Sequence, residues 1–371
     1  MIKVKDIVQR FEQFAPPAWA EKGDPIGLQL GSLEQEVHKV MVTLDVRPEV
    51  VAEAIAEDVD FIFAHHPAMF KPITKFDLIV PQNQMYAELI KHDITVYGAH
   101  TNLDNANGGM NDWLAELLQI EHTKHLMPLR YPDYYKLAVY VPVKAEDHVR
   151  QALNVAGAGC IGEYTGCAYT APGPGYFVPG KDAQPTIGNI NEATAVSEVK
   201  VEVVVAARDK NKVLQAMYAS HPYEEPVFDL YRLENFGTPY GMGRIGTLAE
   251  ATTVTEYAKF CKNVLGVDHV RLVTSDPRRL VRTVAVLGGS GSRFYPQALR
   301  QGADVYVTAD VTYHTGHDII ASGLSVIDPG HHFEAICKSH LQSMFEQWSD
   351  ENDWQIQVVS SKINTDPFSF I

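Results

Sequence analysis

The most constraining feature of the sequence is a change of hydrophobic period that recurs at both ends of the chain and is interrupted in its middle. In the first third, strand-like runs at 38–46, 61–64 and 94–99 are separated by helix-like stretches at 48–57, 83–91 and 109–118. The last third repeats the style, with strands at 283–287, 305–308, 324–327 and 355–360 and helices at 295–301, 312–321 and 332–346. Strands alternating with helices predict a mostly parallel sheet covered on both faces. The middle reads differently: strand 135–141, helix 145–156, a Gly/Pro-rich stretch at 166–191, strand 199–206, helix 209–219 and strand 227–233. A further strand inside the Gly/Pro-rich stretch completes β-α-β-β-α-β, a ferredoxin-like plait. The expected fold class is therefore α/β, with two α/β halves, 1–125 and 238–371, forming one core of mostly parallel sheets. Residues 126–237 are expected to form an inserted ferredoxin-like α+β domain, an arrangement tolerated where chain ends meet at a surface.

Composition narrows the functional classes. No window approaches the roughly 20 apolar residues of a membrane helix, and the first ten residues lack the apolar region of a secretory signal. The expectation is a cytoplasmic protein with no membrane partner. Cys160, Cys167, Cys261 and Cys337 form no C-x-x-C pair, so they are read as reduced and structural rather than as a thiolate zinc site. A formal net charge of −15 without a run of one sign disfavours nucleic-acid binding. A small anionic or nucleotide ligand held at a metal remains compatible with it.

Three apolar runs end in histidine. Ala64-His65-His66-Pro67 places two imidazoles where α/β proteins carry functional groups, at the carboxyl end of a strand. Neighbouring side chains on an extended chain diverge, so the pair can serve two ions or straddle a cleft; two polar loop residues would look the same. Gly98-Ala99-His100-Thr101-Asn102-Leu103-Asp104 adds an imidazole and a carboxylate, which alone also fit a strand end and a turn. In Asp328-Pro329-Gly330-His331-His332-Phe333-Glu334, a helix beginning near His331 would put His331 and Glu334 on one face. Helix-start electrostatics explain an acidic Glu334 but not His331. Imidazole and carboxylate together suit zinc, iron, manganese or cobalt.

These stretches, with Gly27-Leu28-Gln29-Leu30-Gly31 and Gly288-Gly289-Ser290-Gly291, span both ends of the chain. With them the chain resembles the Nif-three-like dinuclear-metal hexameric family, known as homologues of the type 2 form of GTP cyclohydrolase I. The resemblance implies that His65, His66, Asp104, His331 and Glu334 bind two divalent ions per subunit (zinc, iron or manganese), with Glu334 bridging. It also implies a toroidal homohexamer. One departure is Gly23-Asp24-Pro25-Ile26, where the family often has Trp-Asp-Asn. The insert resembles PII-type and divalent-ion-tolerance domains through Ala158-Gly159-Cys160-Ile161-Gly162 and His221-Pro222-Tyr223-Glu224-Glu225-Pro226. His221, Glu224 and Glu225 read either as metal ligands or, the favoured reading, as part of an edge-strand segment shaped by proline.

The expected function is a metal-dependent hydrolase of the GTP cyclohydrolase or nucleotide and phosphoester type, with His100 and His314 as proton carriers. His314 reads equally as a surface residue. The glycine turn at 288–292 could cradle a phosphate, although it lacks a P-loop lysine, and Lys71, Arg244 and Arg293 are candidate phosphate partners. The alternative is a metal-binding regulator, adaptor or metallochaperone without turnover.

Overall fold

The computed structural model describes residues 2–234, 236–369 and 371; Met1, Asn235 and Phe370, which the expected domain ranges include, lie outside them. The chain divides into two compact units, one formed by Met1–Pro128 with Tyr240–Ile371 and the other by Leu129–Pro239.

The discontinuous unit holds two sheets. In the first, Gln357–Ser360, Lys39–Thr43, Phe61–Ala64 and Thr95–Gly98 are parallel neighbours, and Gly27–Leu30 closes the far edge antiparallel. In the second, Leu280–Val286, Val305–Val307 and Ser325–Asp328 run parallel. Antiparallel strands flank that set: Arg271–Val273 on one side, Arg244–Thr253 and then Glu121–His125 on the other. Side chains alternate across a strand, and burial follows that alternation. Val40, Val42, Phe61, Phe63 and Tyr97 of the first sheet share one core with Val284, Val286, Val305, Val307 and Ile327 of the second. Helices Val4–Phe14, Met110–Leu117 and Cys337–Glu351 contribute to that shared core. The intervening residues face outward into separate cores, Met41, Ile62 and Val96 on one side and Ala285, Tyr306 and Val326 on the other. Strands buried on both faces read as continuous apolar runs, which is why these were legible.

Two readings change. The expected helix at 332–346 is a 3-10 segment, His331–Ile336, followed by the α-helix Cys337–Glu351. The distinction matters at the site, because residues three apart eclipse in a 3-10 turn. Helix Val254–Val264, capped by Thr253 and Glu256 in a reciprocal box, lies in a stretch without an assigned element.

The second unit is the plait. Tyr134–Pro142, Ala168–Phe177, Thr194–Ala206 and Phe228–Leu233 form an antiparallel sheet, with helices Glu146–Val155 and Lys210–Ser220 after its first and third strands. Leu137, Val139 and Val141 face the helices together with Val201, Val203 and Val205. Phe228–Leu233 is an edge strand, in keeping with the proline-flanked segment before it.

The chain leaves and re-enters the first unit at one place, because Leu126 and Met127 donate backbone hydrogen bonds to Gly243 and Met242. Joining Pro128 to Tyr240 through a short Gly/Ser linker is therefore expected to leave a soluble, cooperatively melting protein. Circular dichroism and thermal melting check this; an aggregated or molten product would mean that the insert completes the core.

Candidate metal centre

Parallel strands of both sheets end at the same cluster. The first sheet delivers Asp45 after Lys39–Thr43, His65 and His66 after Phe61–Ala64, and His100 after Thr95–Gly98, with Asp104 in the short helix Thr101–Asn105 that follows. The second delivers Gly288 and Gly289 after Leu280–Val286, Asp310 after Val305–Val307, and His331 and Glu334 after Ser325–Asp328.

Glu334 sits at the centre, 2% exposed. Its Oε2 lies 3.3 Å from His66 Nε2 and 3.2 Å from His331 Nε2; its Oε1 lies 3.8 Å from His65 Nε2. Asp104 Oδ1 stands 3.7 Å from His65 Nε2. Three sets of donor atoms each fall within 4.8 Å of one another: His65, Asp104 and Glu334; His66, His331 and Glu334; and His65, His66 and His100.

Every imidazole is oriented through its other nitrogen. His66 Nδ1 donates to Asp45 at 2.7 Å, His331 Nδ1 to Asp310 at 2.7 Å, His100 Nδ1 to Asp24 at 2.8 Å, and His65 Nδ1 to the Ala99 carbonyl at 2.8 Å. Carboxylate and carbonyl acceptors on Nδ1 leave Nε2 to face inward, as in metal sites whose outer partners fix the ligand tautomer. Buried polar atoms normally have partners, yet the fully buried His65 Nε2 and Asp104 Oδ1 have none. Two orphaned acceptors aimed at each other across 3.7 Å are what a cation between them would satisfy, so these residues fit a divalent metal ion.

The glycine turn has a steric role. A Cβ on Gly288 would lie 2.6 Å from Glu334 Oε1. Gly289 holds a left-handed φ of +58°, and a Cβ there would come within 3.2 Å of both Glu334 and His331 Nε2. The turn lets the backbone press against the ligands. Its Gly288 N–H donates to Asn111 and its Gly291 N–H to the Gly289 carbonyl, so these two are committed within the protein.

The electrostatics are those of a cluster that holds protons. Burial disfavours charge on His66, but its hydrogen bonds to Asp45 and Glu334 prevail and raise its pKa to about 10. The hydrogen bond to Glu334 and its charge raise His331 to about 9 against desolvation. Burial, reinforced by the charge of Glu334, pushes the Asp104 carboxyl up. Glu334 is held well below the usual carboxylate range, because the imidazoles of His331, His65 and His66 outweigh its own burial.

The structure thus brings together His65, His66, His100, Asp104, His331 and Glu334. His314 joins none of these groups among the described residues: it lies in the first turn of helix Tyr313–Ser322, exposed, with its ring against Tyr313. Arg244 is buried and committed to Asp112 and to the Gly241, Gly243 and Ala106 carbonyls, so it is not a free phosphate partner. His221 gives Nε2 to the Tyr140 carbonyl and accepts the Tyr223 N–H on Nδ1, so it joins no metal-type group among the described residues. Asp45, Asp24 and Asp310 are the imidazole-orienting residues that the sequence did not single out as a set. Their signal was position: Asp45 and Asp310 each follow an apolar strand run.

The family described as Duf34/NIF3 (NGG1p interacting factor 3) matches residues 2–367. A protein of Bacillus subtilis (strain 168) named GTP cyclohydrolase 1 type 2 homolog is 44% identical over 367 residues, covering 99% of this chain and 98% of its own. The crystal structure of a Bacillus cereus protein related to NIF3 superposes with a TM-score of 0.86 at 39% identity, over 100% of this chain and 99% of that one. A Staphylococcus aureus crystal structure follows at 0.84 and 30% identity, with the same coverage.

Gly288→Ala is expected to displace the Glu334 carboxylate, weaken zinc uptake about 10-fold or more and lower the metal-free melting temperature. Competition against a fluorescent chelator measures it, and unaltered affinity would mean that Glu334 does not depend on this turn. A pH effect also follows. His66 and His331 titrate above the unfolded value of 6.5, so the stability they contribute is fully present below pH 6.5 and is lost as pH rises through about 9 to 10. Metal-free protein should melt progressively lower across that window, and the loss should shrink in a His66→Ala, His331→Ala double variant.

Proposed function

The chain belongs to the Duf34/NIF3 family, and from that premise we propose that it holds two divalent metal ions at this cluster and acts as a metal-dependent hydrolase on nucleotide or phosphoester substrates. The observation that carries the reading is the position of Glu334. Its Oε1 belongs to the group with His65 and Asp104, and its Oε2 to the group with His66 and His331. One carboxylate can thus serve two cations and reduce their mutual repulsion. Imidazole nitrogen and carboxylate oxygen without thiolate suit zinc, iron or manganese. Divalent ions held there supply Lewis acidity and lower the pKa of water near neutrality.

The chain's own residues do the rest. Asp45, Asp310 and the Ala99 carbonyl hold three ligand imidazoles in register. Asp24 fixes His100 through Nδ1, so its Nε2 is the atom that takes up or returns a proton beside His65 and His66, whose rings lie 5.4 and 5.6 Å away. Asp24 lies in the segment Gly23-Asp24-Pro25-Ile26, where the family often has Trp-Asp-Asn, and its carboxylate accepts from His100 Nδ1. His314, exposed on its helix, is left without a role in proton transfer.

The subunit is proposed to assemble as a homohexamer. Phe70, Phe76, Leu78, Ile79 and Val80 expose apolar surface along one stretch of chain, the kind of patch that marks an interaction surface. No described helix is long and apolar enough to cross a membrane.

Glu334→Gln keeps the shape and removes the charge, so calorimetric titration with zinc should show both binding steps weakened together. Asp104→Ala should weaken one step and His331→Ala the other. Loss of a single step in Glu334→Gln would make Glu334 a terminal ligand. Metal-loaded protein screened against nucleotides and phosphoesters should show turnover that Glu334→Gln abolishes. If zinc, iron and manganese all give none, the regulator or metallochaperone reading takes its place.

A further inference from the structure

We propose that the inserted domain carries a binding site for a small organic cation, built on the sheet face that its two helices leave open.

The site follows from strand alternation. Val139 and Val141 of one strand and Val199 and Val201 of its neighbour face the helices. Tyr140 and Glu198, at the intervening positions, therefore point to the opposite face. A loop after strand Ala168–Phe177 covers that face and is pinned to the Pro222–Val227 segment. Gln184 N–H donates to Glu224 at 2.9 Å, and the Thr186 hydroxyl donates to the Pro222 carbonyl at 2.7 Å. Between the sheet floor and this cover lies a cavity of about 230 Å³.

Its walls have a definite chemistry. Tyr140, Phe177 and Tyr223 line it, together with Glu198, Glu224 and Glu225, and no Lys or Arg is among the lining residues. The nearest lysine on that face of the strand, Lys200, is paired with Glu202 at 2.5 Å. An anion such as a nucleotide phosphate would meet three like charges with no counter-ion. A cation would meet aromatic faces, which attract it through their quadrupole, and carboxylates, which attract it by charge.

Glu198 is placed for this role. Its Oε1 accepts the Tyr223 hydroxyl at 3.0 Å, and a Cβ on Gly175 would lie 2.1 Å from its Oε2. Glycine at 175 is thus what lets the carboxylate lie across the neighbouring strand. A bare metal ion fits less well. His221 has both nitrogens committed, and no metal-type group of His, Cys, Asp or Glu is found here among the described residues. The cavity takes a compact amine or quaternary ammonium with an apolar or aromatic body.

The probe is benzyltrimethylammonium, titrated calorimetrically into the full chain. One saturable site per chain is expected. Glu198→Gln should weaken it about 10-fold or more, and Glu225→Gln several-fold. The uncharged isostere neopentylbenzene (2,2-dimethylpropylbenzene) should bind far more weakly, and ATP should not compete. Glu225 is exposed and the change keeps its shape, so Glu225→Gln leaves the fold intact and decides the matter if Glu198→Gln does not fold. Absence of saturable binding, equal affinity in both variants, or displacement by ATP would overturn the proposal.

Discussion

A carboxylate buried at the meeting point of two sheets sets the terms for the rest of the discontinuous unit. Removing an ion of that size from water costs several kcal/mol even after relaxation. Glu334 is tolerated because three imidazoles surround it, and those imidazoles are themselves oriented by Asp45, Asp310 and the Ala99 carbonyl. Each of those partners stands just beyond the end of a different strand or strand-to-helix connection. The charge at the centre is therefore balanced only if the strands of both sheets converge with correct register. The shared core of Phe61, Phe63, Val284 and Val305 between the sheets is what enforces that convergence. Packing here is a condition of the chemistry: a slip of one residue in a parallel strand would exchange its inner and outer faces and turn a ligand away from Glu334.

Much of this was legible in the sequence. The parallel strands are short apolar runs because both of their faces are covered, and their ends carry the histidines because that is where an α/β sheet exposes side chains to a cleft. The i, i+3 spacing of His331 and Glu334 pointed to a shared face, although the segment is 3-10, in which such residues eclipse more closely than in an α-helix. Among what escaped, two cases have a clear physical cause. Glu121–His125 is strand by pairing alone: its residues are polar and mostly exposed, and Arg244–Thr253 supplies its partner from far along the chain. Asp45, Asp24 and Asp310 escaped because an aspartate after a strand reads as a turn residue until the imidazole it faces is known. His100 and Asp24 are 76 residues apart, a distance local pattern does not bridge.

The glycine turn shows how one motif supports two physical readings. Glycines between a strand and a helix suggest a phosphate cradle, since their N–H groups can point at an anion. Here the same residues are needed because Glu334 and His331 occupy the space where side chains would be. Close approach of backbone to ligand is a separate reason for glycine from anion binding, and only the positions of the opposing side chains separate the two.

The inserted plait obeys a different logic. Its helices cover one face of its sheet, and its own core of Leu137, Val149, Val201 and Val213 is complete without help from the flanking chain. The discontinuous unit's strand ladder, meanwhile, runs past the insertion point: Arg244 pairs with His125, and the backbone bonds of Leu126 and Met127 continue to Gly243 and Met242. The two segments that carry the chain out and back are thus already hydrogen-bonded to each other inside the discontinuous unit. A domain entering at such a point breaks no ladder and opens no core, so its sheet face is free to acquire ligand chemistry of its own without disturbing the buried carboxylate that the discontinuous unit is built around.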